Sequence, residues 1–249
     1  MIDGNLVFAA AGGSGESLLG IDKMTGKTVW KAESDPITHA TPVPATIHGE
    51  RQIIFFTQKG LVSVKPADGK VLWRHPFKFS VSTAASPVVA GDIVYCSAGS
   101  GVGSTAVQIK KSGDKFTADE LWKVSGDSIA NHWSTPIHKD GHLYGMFQFK
   151  EYGDGPIKCI ELKTGKVKWS QPGFGPGNVI MVDNQLIALS DAGQLVHIEA
   201  TPAAYKEHAR FQAITGKCWS TPAFSQGRIY VRSTTEAAAF DLSQKIAGK

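Results

Sequence analysis

The chain has 249 residues, with 26 basic and 22 acidic side chains and a formal net charge of +4. Apolar residues make up 42% of it and three cysteines are present, a composition that excludes disordered, collagen-like and coiled-coil proteins. No run of about 18 apolar residues predicts a membrane span, no secretion signal opens the chain, and the basic residues form no cluster that favours nucleic acid as a partner.

A segment from Leu19 to Trp30 recurs along the chain. Its copies run from Val62 to Trp73 and from Lys158 to Trp169, and a looser copy with a longer turn runs from Ala106 to Trp122. The final strand of each repeat carries an aromatic anchor, and the five anchors, 43, 49, 47 and 42 residues apart, are Trp30, Trp73, Trp122, Trp169 and Phe211. That period is typical of a four-stranded propeller blade.

In chain order, the predicted elements begin with three strands between Leu6 and Lys31. Four repeats of four strands follow, with turns whose Gly or Asn supplies the positive φ that a tight hairpin needs. Three strands between Ser220 and Leu242 end the series, so 22 strands, or five and a half blades, are predicted in one domain over residues 1–249. Helix is predicted only as a short turn at Thr201 to His208.

The repeated motif, a hydrophobic strand followed by Thr/Asp-Gly-Lys-x-x-Trp, resembles the PQQ-like repeat. That family includes quinoprotein alcohol dehydrogenases, BamB-type outer-membrane assembly proteins and uncharacterised PQQ-binding-like bacterial proteins. The resemblance implies an all-β propeller of antiparallel four-stranded blades, a periplasmic or extracellular location, and anchor tryptophans that dock one blade on the next.

Blade number follows less directly from the resemblance. Members of the family usually have seven or eight blades, which at about 45 residues each need a longer chain. The sequence is therefore interpreted either as part of a longer protein or as a propeller of about six blades. Because exposed strand edges pair readily with other chains, open blade edges predict a homodimer.

Longer loops, expected on one face of the propeller, are predicted at residues 11–16, 99–104 and 150–155. Binding residues concentrate on such loops. The segments that cross between blades bring candidate ligand-binding side chains to the channel mouth on this face: His39, His132, Trp133, Asn178, Lys217 and Trp219. The repeated Trp-Ser-Thr-Pro sequence at Trp133 and Trp219 fits packing at the axis as well as a ligand shelf. The leading hypothesis is a non-catalytic scaffold that binds a protein, peptide or glycan here.

Two catalytic alternatives stay open at this point, although no catalytic residue is identified. The first is a metal-assisted ester or phosphoester hydrolase, whose divalent metal would be held at the channel mouth by His39, His132, Asp35 and Asp127. The second is a quinone-dependent oxidoreductase. It is disfavoured because the resemblance implies an adjacent cysteine pair, whereas Cys96, Cys159 and Cys218 are far apart. No cofactor is expected, PQQ included, and the cysteines are interpreted as buried free thiols.

Overall fold

The computed structural model describes residues 1–148 and 155–242. These residues form six antiparallel sheets, and in each sheet the strands pair in the order in which they follow along the chain. The first three sheets, blades 1 to 3, contain β1 (Ile2–Asp3), β2 (Leu6–Ala10), β3 (Leu18–Asp22) and β4 (Thr28–Ala32); β5 (Val43–Ile47), β6 (Glu50–Thr57), β7 (Gly60–Val64) and β8 (Val71–Pro76); and β9 (Val88–Ala90), β10 (Ile93–Ala98), β11 (Gly103–Ser112) and β12 (Lys115–Ser125).

Blades 4 to 6 complete the series of 23 strands. They contain β13 (Ile137–Lys139), β14 (His142–Met146), β15 (Ile157–Glu161) and β16 (Val167–Gln171); β17 (Asn178–Val182), β18 (Gln185–Leu189), β19 (Gln194–Glu199) and β20 (Glu207–Gln212); and β21 (Ala223–Ser225), β22 (Arg228–Arg232) and β23 (Ala237–Asp241). The predicted all-β propeller is confirmed.

The turns between the first two strands of a blade follow the predicted chemistry. In blade 2, His48 and Gly49 have φ angles of 49° and 77°, and in blade 4, Asp140 and Gly141 have 47° and 75°. Two consecutive positive φ angles define the type I′ turn, whose twist matches that of a hairpin. Each blade therefore starts from a hairpin closed by two residues.

The hydrophobic core is divided among the blades. Each of its five clusters lies between two successive blades. In β6, Ile53 and Phe55 pack with blade 1, whereas Ile54 and Phe56 pack with blade 3. Because successive side chains of a strand point to opposite faces, a central strand buried on both faces is apolar throughout. The run from Ile53 to Phe56 is explained in this way.

Two details of the sequence prediction need correction. Blade 1 has four strands instead of three, because the two-residue strand β1 pairs with β2 through Ile2 and Val7, which raises the count from 22 to 23. No helical turn forms at residues 201–208. Glu207 there already pairs with Ile198 in β20, and Tyr205 packs edge-on against the Trp169 ring with centroids 5.6 Å apart.

The two terminal blades differ from the interior ones in burial. Side chains on both faces of β10 are buried, whereas β22 alternates between exposed and buried residues and leaves Tyr230 42% exposed. In blade 1, Val7 and Ile21 are partly exposed on the face turned away from blade 2. The described part of the chain thus presents one incompletely covered sheet face at each end. It contains no helix that is long and apolar enough to cross a membrane.

Candidate binding face

The segments that cross from one blade to the next are hydrogen-bonded to one another. The His39 amide donates to the Thr83 carbonyl (2.9 Å), and the Thr83 hydroxyl donates to the His132 carbonyl (2.8 Å). Further along, the Asn178 side-chain amide donates to the Trp219 carbonyl (2.9 Å). The crossing segments at His39 and His132 are thus joined through Thr83, and Asn178 at the start of β17 holds the segment at Trp219, so these contacts fix the local backbone.

Four of the predicted side chains form one aromatic and basic cluster, here called the aromatic shelf: His132, Trp133, Lys217 and Trp219. The ring centroids of Trp133 and Trp219 lie 6.1 Å apart, and those of His132 and Trp133 lie 5.1 Å apart. The Lys217 Nζ atom lies 5.5 Å from the centre of the Trp219 ring. Trp219 is 42% exposed, so the shelf opens to solvent. His39 lies outside this cluster, beside Ser82.

Of the three predicted long loops, the one after β10 borders the shelf. A Cβ atom added to Gly99 would lie 3.0 Å from the His132 side chain, so glycine permits this close approach. Asp127 accepts a hydrogen bond from the Gly101 amide (2.8 Å). Partial burial lowers the pKa of His132, against an opposing effect of the Asp127 charge. Of the loop predicted at 150–155, residues 150–154 lie outside the described residues.

The space beside the shelf is small. The cavity there is lined by residues of two crossing segments and of the connection after β14, and it has a volume of about 10 Å³, whereas pockets for small molecules usually occupy about 300–1,000 Å³. A ligand of the shelf would therefore lie on its exposed surface.

The four predicted metal ligands do not form one cluster. Asp35 is buried, and its carboxylate receives Arg74 Nη1 at 2.9 Å, Lys59 Nζ at 3.0 Å and the Thr57 hydroxyl at 3.1 Å. Within residues 1–148 and 155–242, no three His, Cys, Asp or Glu side chains are grouped so that they could hold a metal ion. Asp35 serves instead as the centre of an ion-pair network between blades 1 and 2.

The three cysteines are free and buried, as predicted. Burial raises the pKa of each thiol, to about 11 for Cys159. Because the thiolate is the nucleophilic form, none of these cysteines is suited to nucleophilic catalysis at neutral pH.

Three anchor tryptophans dock on the following blade through their indole N–H groups. Trp30 donates to the Pro66 carbonyl (2.8 Å) and Trp122 to the Leu162 carbonyl (2.7 Å). Trp169 donates to the Thr201 carbonyl (2.8 Å). Each acceptor lies in the connection between the third and fourth strands of the next blade, here called the docking turn.

Trp73 and Phe211 behave differently from these three anchors. Trp73 donates to Gln52 Oε1 of its own blade (2.6 Å) and packs beneath the long hairpin of blade 3, where Phe116 joins the same cluster. Phe211 packs edge-on against Phe240 of blade 6 with centroids 5.2 Å apart and is 45% exposed. In blade 3, β11 and β12 are 10 and 11 residues long, so the turn that joins them lies at the tip of a long hairpin, and the Trp73 indole donates to Gln52 instead.

Two features were not predicted from the sequence. An open cleft of about 590 Å³ lies between blades 5 and 6, with His197 and Phe211 in its lining. Lys158 is buried, and its Nζ donates to the Ser128 carbonyl (2.6 Å) and to Gln148 Oε1 (2.8 Å). The sequence could have indicated this buried lysine, because it stands at the motif position that Leu19 and Val62 hold in other blades.

Comparison with known proteins identifies the family. The profile of the family described as "Outer membrane protein assembly factor BamB" matches residues 1–171. The chain belongs to this PQQ-like propeller family. No curated protein matches its sequence.

Solved structures of the same fold are distant in sequence. Quinohemoprotein alcohol dehydrogenase from Comamonas testosteroni is 13% identical, with a TM-score of 0.62 over 91% of this chain and 50% of that one. A putative 6-phosphogluconolactonase from Bacteroides fragilis is 11% identical, with a TM-score of 0.62 over 96% and 78%. BamB from Moraxella catarrhalis is 15% identical, with a TM-score of 0.49 over 94% and 80%. The likeness to the alcohol dehydrogenase and to the phosphogluconolactonase shows the fold alone.

Proposed function

We propose that this protein is a non-catalytic scaffold of the bacterial envelope that binds a segment of another protein on the aromatic shelf. Membership of a family described by an outer-membrane assembly factor supports the location and the class of partner. The single observation that carries the proposal is the pair of tryptophan rings, Trp133 and Trp219, beside Lys217 on an open surface.

The chemistry of the shelf suits a peptide. Exposed tryptophans provide large apolar contact areas and are enriched among the residues that dominate protein binding. Lys217 adds a positive charge over the face of the Trp219 ring. The expected ligand is therefore a segment that lays an apolar side chain against the exposed side of the rings and places a carboxylate near Lys217.

The crossing segments support binding without rearrangement. Hydrogen bonds from Thr83 and Asn178 hold the backbone at His132 and Trp219. A surface that is ordered before binding loses less conformational entropy on association. For the hydrolase hypothesis, the predicted metal ligand Asp35 is already paired with Arg74 and Lys59.

A random-peptide phage library selected on the full chain tests this proposal. The enriched peptides should combine an apolar residue with Asp or Glu. Trp219→Ala should weaken the best peptide roughly 30-fold, the effect of truncating a dominant contact residue. The matched control is Phe224→Ala, because Phe224 is similarly exposed (40%) but lies on blade 6.

Two results would overturn the proposal. One is a peptide whose affinity survives Trp219→Ala. The other is binding to a glycan array that is lost in Trp219→Ala when no peptide is enriched, which would assign the shelf to carbohydrate.

A further inference from the structure

The docking turns of blades 1, 2, 4 and 5 are closed by the same backbone hydrogen bond. The amide of a residue at the start of the turn donates to the carbonyl of the lysine at its end, at 2.8–2.9 Å. The four donor and acceptor pairs are Asp22 and Lys27, Lys65 and Lys70, Glu161 and Lys166, and Glu199 and Lys206. These hydrogen bonds show which positions of the four turns correspond.

Blade 2 differs from the other three blades in the charge at the start of this turn. The corresponding residues of blades 1, 4 and 5 are acidic, whereas blade 2 has Lys65. In blade 5, the acidic residue pairs with the closing lysine, since Glu199 Oε2 lies 2.6 Å from Lys206 Nζ. With lysine at position 65, blade 2 gives Lys70 no acidic partner there and has two positive charges in one turn.

The long hairpin of blade 3 brings a third lysine to this turn. Lys111 of β11 pairs directly with Phe116 of β12, and directly opposed residues project from the same face of a sheet. Phe116 is buried in one cluster with Trp73, so this face is turned towards blade 2. The Lys111 Nζ atom lies 5.1 Å from the centre of the Phe116 ring.

The turn of blade 2 and the hairpin of blade 3 enclose a pocket of about 180 Å³, here called the lysine pocket. It is lined by the three lysines, by Glu50 and Asp114, and by apolar residues that include Phe116. Lys65 Nζ lies 3.6 Å from Glu50 Oε1, whereas within residues 1–148 and 155–242 neither Lys70 nor Lys111 forms an ion pair. The lining therefore has an excess of positive charge.

We propose that the lysine pocket binds the phosphate group of a phosphate monoester. Such a group carries about −1.5 to −2 charges at pH 7 and three strong acceptor oxygens. It can therefore contact the ammonium groups of Lys65, Lys70 and Lys111 together, whereas a carboxylate has one charge and two oxygens. The pocket is smaller than the roughly 300–1,000 Å³ of most small-molecule sites, so it suits a single charged group.

The lysine pocket is separate from the aromatic shelf. In a blade of antiparallel strands, the turns that join strands 1 to 2 and 3 to 4 lie at one end of the strands, and the crossing segments lie at the other. Glu50 and Lys65 therefore lie at the opposite end of the blades from His132 and Trp219. The proposal does not depend on peptide binding at the shelf.

Isothermal titration calorimetry of the full chain with glycerol 3-phosphate tests a soluble ester as the ligand. Lys65→Glu gives blade 2 the acidic residue that three other blades carry at this position, so the variant should fold and should lose detectable binding. Lys70→Gln and Lys111→Gln should each weaken binding roughly tenfold. Asp114→Asn should strengthen binding, because it removes a negative charge from the lining. The Tm of each variant checks that it is folded.

The matched control is Lys110→Gln. Lys110 precedes Lys111 in β11 and projects from the opposite face, where its Nζ atom lies 2.7 Å from Asp119 Oδ2. The control therefore removes the same charge one residue away from the pocket. It should leave the affinity for glycerol 3-phosphate unchanged.

Sedimentation with phosphatidylcholine vesicles, with and without phosphatidic acid, tests a lipid headgroup that presents the same phosphate monoester. Binding that requires phosphatidic acid and is lost in Lys65→Glu, but not in Lys110→Gln, would assign the pocket to a lipid. Loss of the calorimetric signal in the same pattern would assign it to a soluble ester. The proposal is overturned if neither probe binds, or if Lys110→Gln weakens binding as much as Lys111→Gln does.

Discussion

At the scale of single residues, glycine and tryptophan act together across the blade boundary. The glycine of Thr/Asp-Gly-Lys adopts a positive φ, and at Gly69 and Gly165 it also leaves room for a neighbour's indole. The motif therefore combines a requirement of the turn with a requirement of the interface. Gly26 has only the first of these requirements.

This difference can be measured with one substitution at two positions. Gly26→Ala should lower the free energy of unfolding by about 1 kcal/mol, the cost of a left-handed conformation for an L-residue. Gly69→Ala should cost about 1–3 kcal/mol more, because its methyl group would overlap the Trp30 ring. Urea denaturation of both variants gives the comparison. Equal losses would show that the Trp30 contact is absent in solution.

At the scale of elements, the boundary between blades 2 and 3 depends on strand contacts instead of a docking turn. His75 of β8 is buried, and its Nε2 atom lies 3.5 Å from Glu120 of β12. Burial lowers the pKa of His75 below its usual 6.5, against the opposing charge of Glu120 and together with that of Lys123. The native state therefore holds this imidazole neutral at a pH where the unfolded chain protonates it.

Acid should weaken this boundary. His75 binds its proton less readily in the native state than in the unfolded chain. The stability that depends on neutral His75 is therefore fully present above pH 6.5, and it is lost as the pH falls from there through the lowered pKa. His75→Gln should reduce the loss of stability between about pH 7 and pH 5, measured as Tm against pH. Glu120→Gln is the opposing control and should steepen that loss. An unchanged profile in His75→Gln would contradict the assignment.

The elements were largely predictable because their signals are local. Strand alternation, the His48-Gly49 type of turn and the Trp period each lie within one blade. Contacts between blades were harder to predict. The hydrogen bond from Trp73 to Gln52 depends on the long hairpin of the next blade, and the engagement of Asp35 depends on Arg74 and Lys59 of the next blade. The residues of the shelf were named as candidates from the sequence, in part because Trp-Ser-Thr-Pro repeats at Trp133 and Trp219. The arrangement of their side chains was not predicted.

At the scale of the whole molecule, stability is a sum over blade boundaries. The five core clusters each join two neighbours, as in repeat proteins whose units contact only adjacent units. Interior blades are covered on both faces, whereas blades 1 and 6 are each covered on one.

Hydrogen exchange should show that the terminal blades open before the interior ones. Amides of β2 and β22 should exchange before those of β6 and β10, because the terminal blades can open while breaking one boundary instead of two. Mass spectrometry of peptic fragments provides the measurement. Simultaneous exchange of all four strands would indicate that the blades open as a single unit.

Each docking contact runs from a tryptophan to an acceptor later in the chain, and this direction sets the order in which the blades are completed during synthesis. Trp30 and Trp122 find their acceptors 36 and 40 residues later, at Pro66 and Leu162. At a synthesis rate of roughly 5–20 residues per second, each of these indoles waits about 2–8 s for its acceptor to be made. A nascent blade is therefore completed by its successor, and the most recently made blade is the one that a chaperone would encounter uncovered.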